Sequence, residues 1–114
     1  MTRMQADAAL QKLLRALPPL RDLLRGSLLE RHTFHPASVS CATCASGQGH
    51  LQRVLTVIYP GGKTRQISLH PKQVPHVRRQ IANLARLRAI LERICQINQN
   101  LLPAQRDQLR KERS

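Results

Sequence analysis

A chain of 114 residues buries roughly 65% of its unfolded surface, so one modest core is expected and a second is not. Nineteen Lys and Arg against six Asp and Glu give a formal charge of +13, a self-repulsion tolerable mainly when an anionic partner offsets it. Only 2% of residues are aromatic against 41% hydrophobic, so the core must be aliphatic, and no apolar run approaches the roughly 18 residues of a membrane-spanning helix.

Thr2 and Gln5 have the spacing of a capping box, in which the Thr hydroxyl accepts from the third amide and Gln reaches back to the cap amide. Leu10, Leu13, Leu14 and Leu17 follow on one helical stripe. The N-terminus has neither a continuous apolar run nor a small-residue cleavage site, so no secretory signal is read. Pro18-Pro19 ends this helix. Leu20, Leu23, Leu24, Leu28 and Leu29 make a second stripe, weakened at Gly26, and residues 1–31 are expected to form a helical arm, kinked at the proline pair.

From His32 to His50 the periodicity disappears, and Pro36, Ser38, Ser40, Ser46, Gly47 and Gly49 mark irregular backbone. A loop of this length in a small domain needs something to hold it. The strings Val54–Tyr59 and Thr64–Leu69 then flank Pro60-Gly61-Gly62-Lys63, a hairpin signal within 51–70. Leu55, Val57, Ile67 and Leu69 share one face by period-two alternation. The last helix begins between 71 and 76, because Val74 precedes a proline and is biased away from helical angles. Val77, Ile81, Leu84, Leu87, Leu91, Ile94, Asn98 and Leu101 step by four and three, a coiled-coil-like seam to residue 102. Pro103 is expected to stop or kink the helix, with 103–114 a short polar helix or basic tail. The sum is a single α+β domain: helical N-terminal arm, Cys/His loop with β-hairpin, and a long C-terminal helix packing in a coiled-coil-like manner.

Three strings, Arg25–Arg31 (RGSLLER), Gly47–His50 (GQGH) and Gly61–Arg65 (GGKTR), followed by the basic helix 76–102, resemble a family of small uncharacterised prokaryotic proteins often encoded near transposases. Members carry a Cys four residues after the Arg that closes the first string, then Cys-x-Cys, then Gly-His. Here His35 occupies the first position, the Cys pair is spaced as Cys41-x2-Cys44, and Gly49-His50 matches. The resemblance covers about residues 25–102. It implies a mobile-element setting and no established enzyme activity.

His35, Cys41, Cys44 and His50 are the right donors for a tetrahedral structural zinc, with His32 as a competitor to His35. Unliganded surface residues and a Cys41–Cys44 redox pair are the other readings, though a thioredoxin-like role needs a βαβ context that is not visible. Three cysteines fit a reducing cytoplasm better than a disulfide framework. None of the six acids lies in the Cys/His loop, so no nucleophile, base and orienter are assembled and an enzyme is not expected. Gly61-Gly62-Lys63-Thr64 lacks the first glycine of a P-loop and leads into a strand, so it is read as a turn.

Arg53, Lys63, Arg65, Arg78, Arg79 and Arg86 are the candidate nucleic-acid contacts, with Arg78, Arg79, Arg86 and the hairpin pair expected on one phosphate-contacting surface. With so little stacking surface, duplex phosphate contacts, or structured RNA, are preferred to single strands, with duplex DNA favoured. The reading is a non-catalytic, cytoplasmic, nucleoid-associated DNA-binding accessory or regulatory protein of a mobile element, with no membrane partner. Its rival is a protein-interaction or oligomerisation module that binds a transposase, another protein or a second copy of itself.

Overall fold

The computed structural model describes residues 1–33, 47 and 49–113. In chain order the elements are helix α1 (Arg3–Arg15), strands β1 (Ser27–Thr33), β2 (His50–Ile58) and β3 (Thr64–Leu69), a 3-10 turn (Pro71–Gln73) and helix α2 (Val74–Glu112). This is the α+β architecture expected from the pattern: a helical N-terminal arm, antiparallel strands and a long C-terminal helix. The chain divides into two compact units: Leu23–Ala82, which holds the sheet, and Met1–Asp22 with Asn83–Ser114, which is helical. No helix among the described residues is long and apolar enough to cross a membrane.

The helical unit begins at the capping box read from the sequence. Gln5 N donates to Thr2 Oγ1 at 3.1 Å and Thr2 N donates to Gln5 Oε1 at 2.8 Å. Helix α1 closes at Arg15, ahead of the proline pair. The side chain of Asn83, on α2, donates to the Asp22 carbonyl at 3.1 Å. Ala6, Pro18, Ile90 and Ile97 are buried in this unit, and Ile97 is 1% exposed. Half-buried Leu84, Leu87, Ile94 and Leu101 extend the same stripe, whereas Leu91 and Asn98, placed on that seam by the repeat, are exposed. Pro103 does not stop the helix, which continues to Glu112. A proline inside a helix costs about 3 kcal/mol through one lost hydrogen bond and a ring clash, and the helix formers that follow restore the propensity.

The second leucine stripe is not helical, which corrects the expectation for residues 20–31. Leu20 and Arg21 form a turn, closed by Asp22 N donating to Pro19 O at 3.0 Å, and Ser27–Thr33 is a strand. Gly26 is the reason the helix cannot run through. It adopts φ +135°, and a Cβ there would meet Leu55 Cδ1 at 2.8 Å and the Thr56 carbonyl at 2.9 Å, so only glycine fits against β2. Leucines spaced to satisfy a period of 3.6 are then better buried as a strand: Leu28 stands opposite Leu55 in the β1–β2 ladder.

The sheet has the order β1-β2-β3, antiparallel throughout. Register places Leu55 opposite Ile67 and Arg53 opposite Leu69, so the expected face forms, and Leu55, Val57 and Val77 are its buried centre with Leu24, Leu28, Tyr59, Leu69 and Ile81 packed around them. Strand β2 starts four residues earlier than the alternation alone suggests, because β1 supplies partners as far as the Thr33–His50 pair. At the hairpin tip Gly62 N donates to Tyr59 O at 3.1 Å. Pro60 follows as the second turn residue and Gly61, at φ +89°, as the third, the requirement of a type II turn. His70 caps the next element: Lys72 N donates to its Nδ1 at 3.1 Å and His70 N donates to Gln73 Oε1 at 2.8 Å. That box and the burial of its side chain hold Val74 in the helical region, at φ −57° and ψ −47°, despite Pro75.

Candidate nucleic-acid interface

The sheet unit carries eight Lys and Arg and a single acid, Glu30. Strand pairing decides how that acid is used. Glu30 on β1 is the register partner of Arg53 on β2, and Arg53 Nε lies 3.9 Å from Glu30 Oε1. Helix α2 brings Val77 onto the sheet and so carries Arg78 to the same carboxylate, with Nη2 3.4 Å from Oε1. One carboxylate between two guanidiniums leaves the cluster cationic. It borders a recess of about 400 Å³ lined by Gly26, Ser27, Leu28, Glu30, Arg78 and Ile81.

Arg79, one position round the helix, is exposed and donates from Nη2 to His76 Nδ1 at 3.3 Å. Arginine has no acceptor, so that ring nitrogen accepts. Lys63 closes the hairpin through its carbonyl, which accepts from Tyr59 N at 2.7 Å, and its side chain is exposed. Arg65 stands opposite Val57 and is exposed. Arg65 and Arg53 therefore share a sheet face, four residues apart in register, roughly 13 Å along the strands. Neither Lys63 nor Arg65 makes an ion pair among the described residues. Arg86 is exposed and belongs to the helical unit, whereas the other five belong to the sheet unit.

Two contacts were not read from the sequence. The Arg25 guanidinium lies 4.8 Å from the centroid of the Tyr59 ring, which occupies one of the two aromatics in a cation–π contact. The Glu30 bridge was hidden by the helical reading of β1: only a strand puts Glu30 opposite Arg53. The signal available was the alternation Leu28, Glu30 set against Leu55, Arg53.

Of the proposed zinc donors, His35, Cys41 and Cys44 lie outside the described residues. His50 opens β2 opposite Thr33, whose Oγ1 donates to the His50 carbonyl at 3.4 Å, and the competitor His32 is exposed on β1. Among the described residues no group of three or more His, Cys, Asp or Glu could hold a metal. Cys95 is a free thiol and exposed. No protein-family model, curated protein or solved structure matches the chain.

Proposed function

We propose that this protein binds nucleic acid without catalysis, duplex DNA in preference, through phosphate contacts made by its sheet unit. The observation that carries the reading is the balance of eight basic residues against one acid in that unit, with the acid already shared by Arg53 and Arg78. Lys63 and Arg65 on the hairpin and Arg79 on α2 are the foremost contacts, Arg53 and Arg78 line the same unit, and Arg86 adds a contact from the helical unit. Arginine dominates the set, and its planar fork grips phosphate in bidentate fashion. Tyr59 is half-buried beneath Arg25, so base stacking has little to work with and backbone recognition is favoured. The family resemblance adds the setting, an accessory or regulatory role in a mobile element. A zinc held by His35, Cys41, Cys44 and His50 would fix the β1–β2 connection.

A gel shift with duplex DNA across a salt series tests the assignment. The expected result is binding whose log affinity falls linearly and steeply with log salt. Absence of binding at low salt overturns it, leaving the protein-interaction reading, which one observation favours separately: the exposed leucines along α2.

A further inference from the structure

Leu91, Cys95, Asn98, Leu102, Gln105 and Leu109 step by four and three along α2 and so lie within about 40° of one line. All six are exposed, with Leu91 at 50%, Leu102 at 58% and Leu109 at 62%. This face lies about 90° round the helix from the stripe of Ile90, Ile94, Ile97 and Leu101 that the helical unit buries or half-buries. Beyond Leu101 no described residue of the helix is buried, and that extension carries Pro103 in its interior. Helix α1 has 13 residues, about 20 Å of helix, too short to cover the stretch from Asn83 to Glu112. A recess of about 760 Å³ borders this face at Leu102, Gln105 and Leu109 and reaches round the helix to Gln99, Asn100 and Pro103.

We infer that this face is the interface of a homodimer in which α2 packs antiparallel against α2 of a second copy, about a two-fold axis that crosses the helix at the level of Asn100. The charges select both the occupant and the direction. Antiparallel pairing about that axis sets Leu91 against Leu109 of the partner subunit, Cys95 against Gln105 of the partner subunit, and Asn98 against Leu102 of the partner subunit. The position following each inner residue then meets its counterpart, so Glu92 faces Arg106 of the partner subunit, and the two-fold repeats the bridge. Among the described residues Arg106 pairs only with the adjacent Asp107, at 3.4 Å between exposed groups. Parallel pairing in register gives no such match, because it sets Glu92 beside Leu87 and Arg106 beside Leu101 and stacks Cys95, Asn98 and Gln105 on themselves. Leu91 of the partner subunit packs on Leu109, and the proline-bearing extension, in which no described residue is buried, gains cover. Pro103 follows Leu102, about 100° further round the helix, and lines the recess. This interface involves none of the residues proposed for phosphate contact.

The test uses the full chain, freed of nucleic acid by nuclease and a high-salt wash. Sedimentation equilibrium at tens of micromolar should give a dimer, and Leu102→Glu should give a monomer of unchanged helical circular dichroism. Glu92→Arg and Arg106→Glu should each weaken the dimer roughly five- to tenfold, and the two reversals together should restore it, since the effects of groups in contact are not additive. Gln105→Cys, oxidised and peptide-mapped, should yield a disulfide from Cys95 to the introduced thiol of the other copy. A monomeric wild-type chain overturns the proposal. So does an oxidised wild-type dimer joined Cys95 to Cys95, which requires the parallel register.

Discussion

Glu30 is where a single carboxylate decides the field of the sheet unit. Its ion pairs are partly screened, since the Glu30 side chain is 43% exposed and Arg78 62%, while Arg53 at 25% is the more enclosed partner. Exposed pairs are worth about 0–1 kcal/mol, and removing a shared acid also leaves two guanidiniums facing each other. Glu30→Gln keeps the shape and removes the charge. The expected outcome is a loss of about 1 kcal/mol in urea unfolding together with tighter duplex binding and a salt slope steeper by about one unit, because Arg53 and Arg78 are released toward phosphate. A protein that loses stability without gaining affinity would remove these two arginines from the interface and leave the hairpin and Arg79 to carry it. Gly26 sets the other residue-scale limit: the close approach of the Leu55 side chain and Thr56 carbonyl admits no side chain at the entry to β1.

Elements with a local chemical signature were legible, and those fixed by partners distant in sequence were not. The Thr2/Gln5 box, the Pro-Gly-Gly turn and the long apolar repeat each state their conformation within a few residues. Residues 20–29 carry leucines at helical spacing, and nothing local says that β2 waits to pair with them; burial of Leu28 against Leu55 outweighs intrinsic propensity, which spans under 1 kcal/mol per ordinary residue. The same dependence hid the Glu30 bridge and divided the α2 seam, since the repeat cannot tell a residue buried within the helical unit from one such as Leu91 that is left outside. The β1–β2 connection combines both cases. Its ends are fixed by the Thr33–His50 pair, while the candidate ligands His35, Cys41 and Cys44 lie outside the described residues. If zinc holds it, protein purified without chelator carries close to one zinc per chain by elemental analysis, and chelation lowers stability because metal-binding energy there is folding energy. His35→Ala should then cost more zinc affinity than His32→Ala, His32 being an exposed residue within β1. A zinc-free preparation rules the site out.

At the scale of the whole molecule the +13 charge acts on two equilibria with opposite salt dependence. Two chains of like charge associate better as salt screens their repulsion, whereas binding to a duplex weakens as counterion release loses its driving force. Raising salt should therefore favour the α2 dimer and disfavour the DNA complex, so the two activities separate without any substitution. Arg79 and Arg86 locate the second of these. They belong to different units and neither forms an ion pair among the described residues, so removing either leaves no carboxylate stranded. If both contact phosphate, Arg79→Ala and Arg86→Ala each lower the salt slope by about one unit, weaken all duplex sequences alike because backbone contacts carry no sequence information, and combine additively. Leu102→Glu, which acts on the dimer, should leave the slope per chain unchanged. Should the double arginine variant keep its duplex affinity at low salt while losing capture of a protein partner, the arginines serve a protein interface and the nucleic-acid assignment falls.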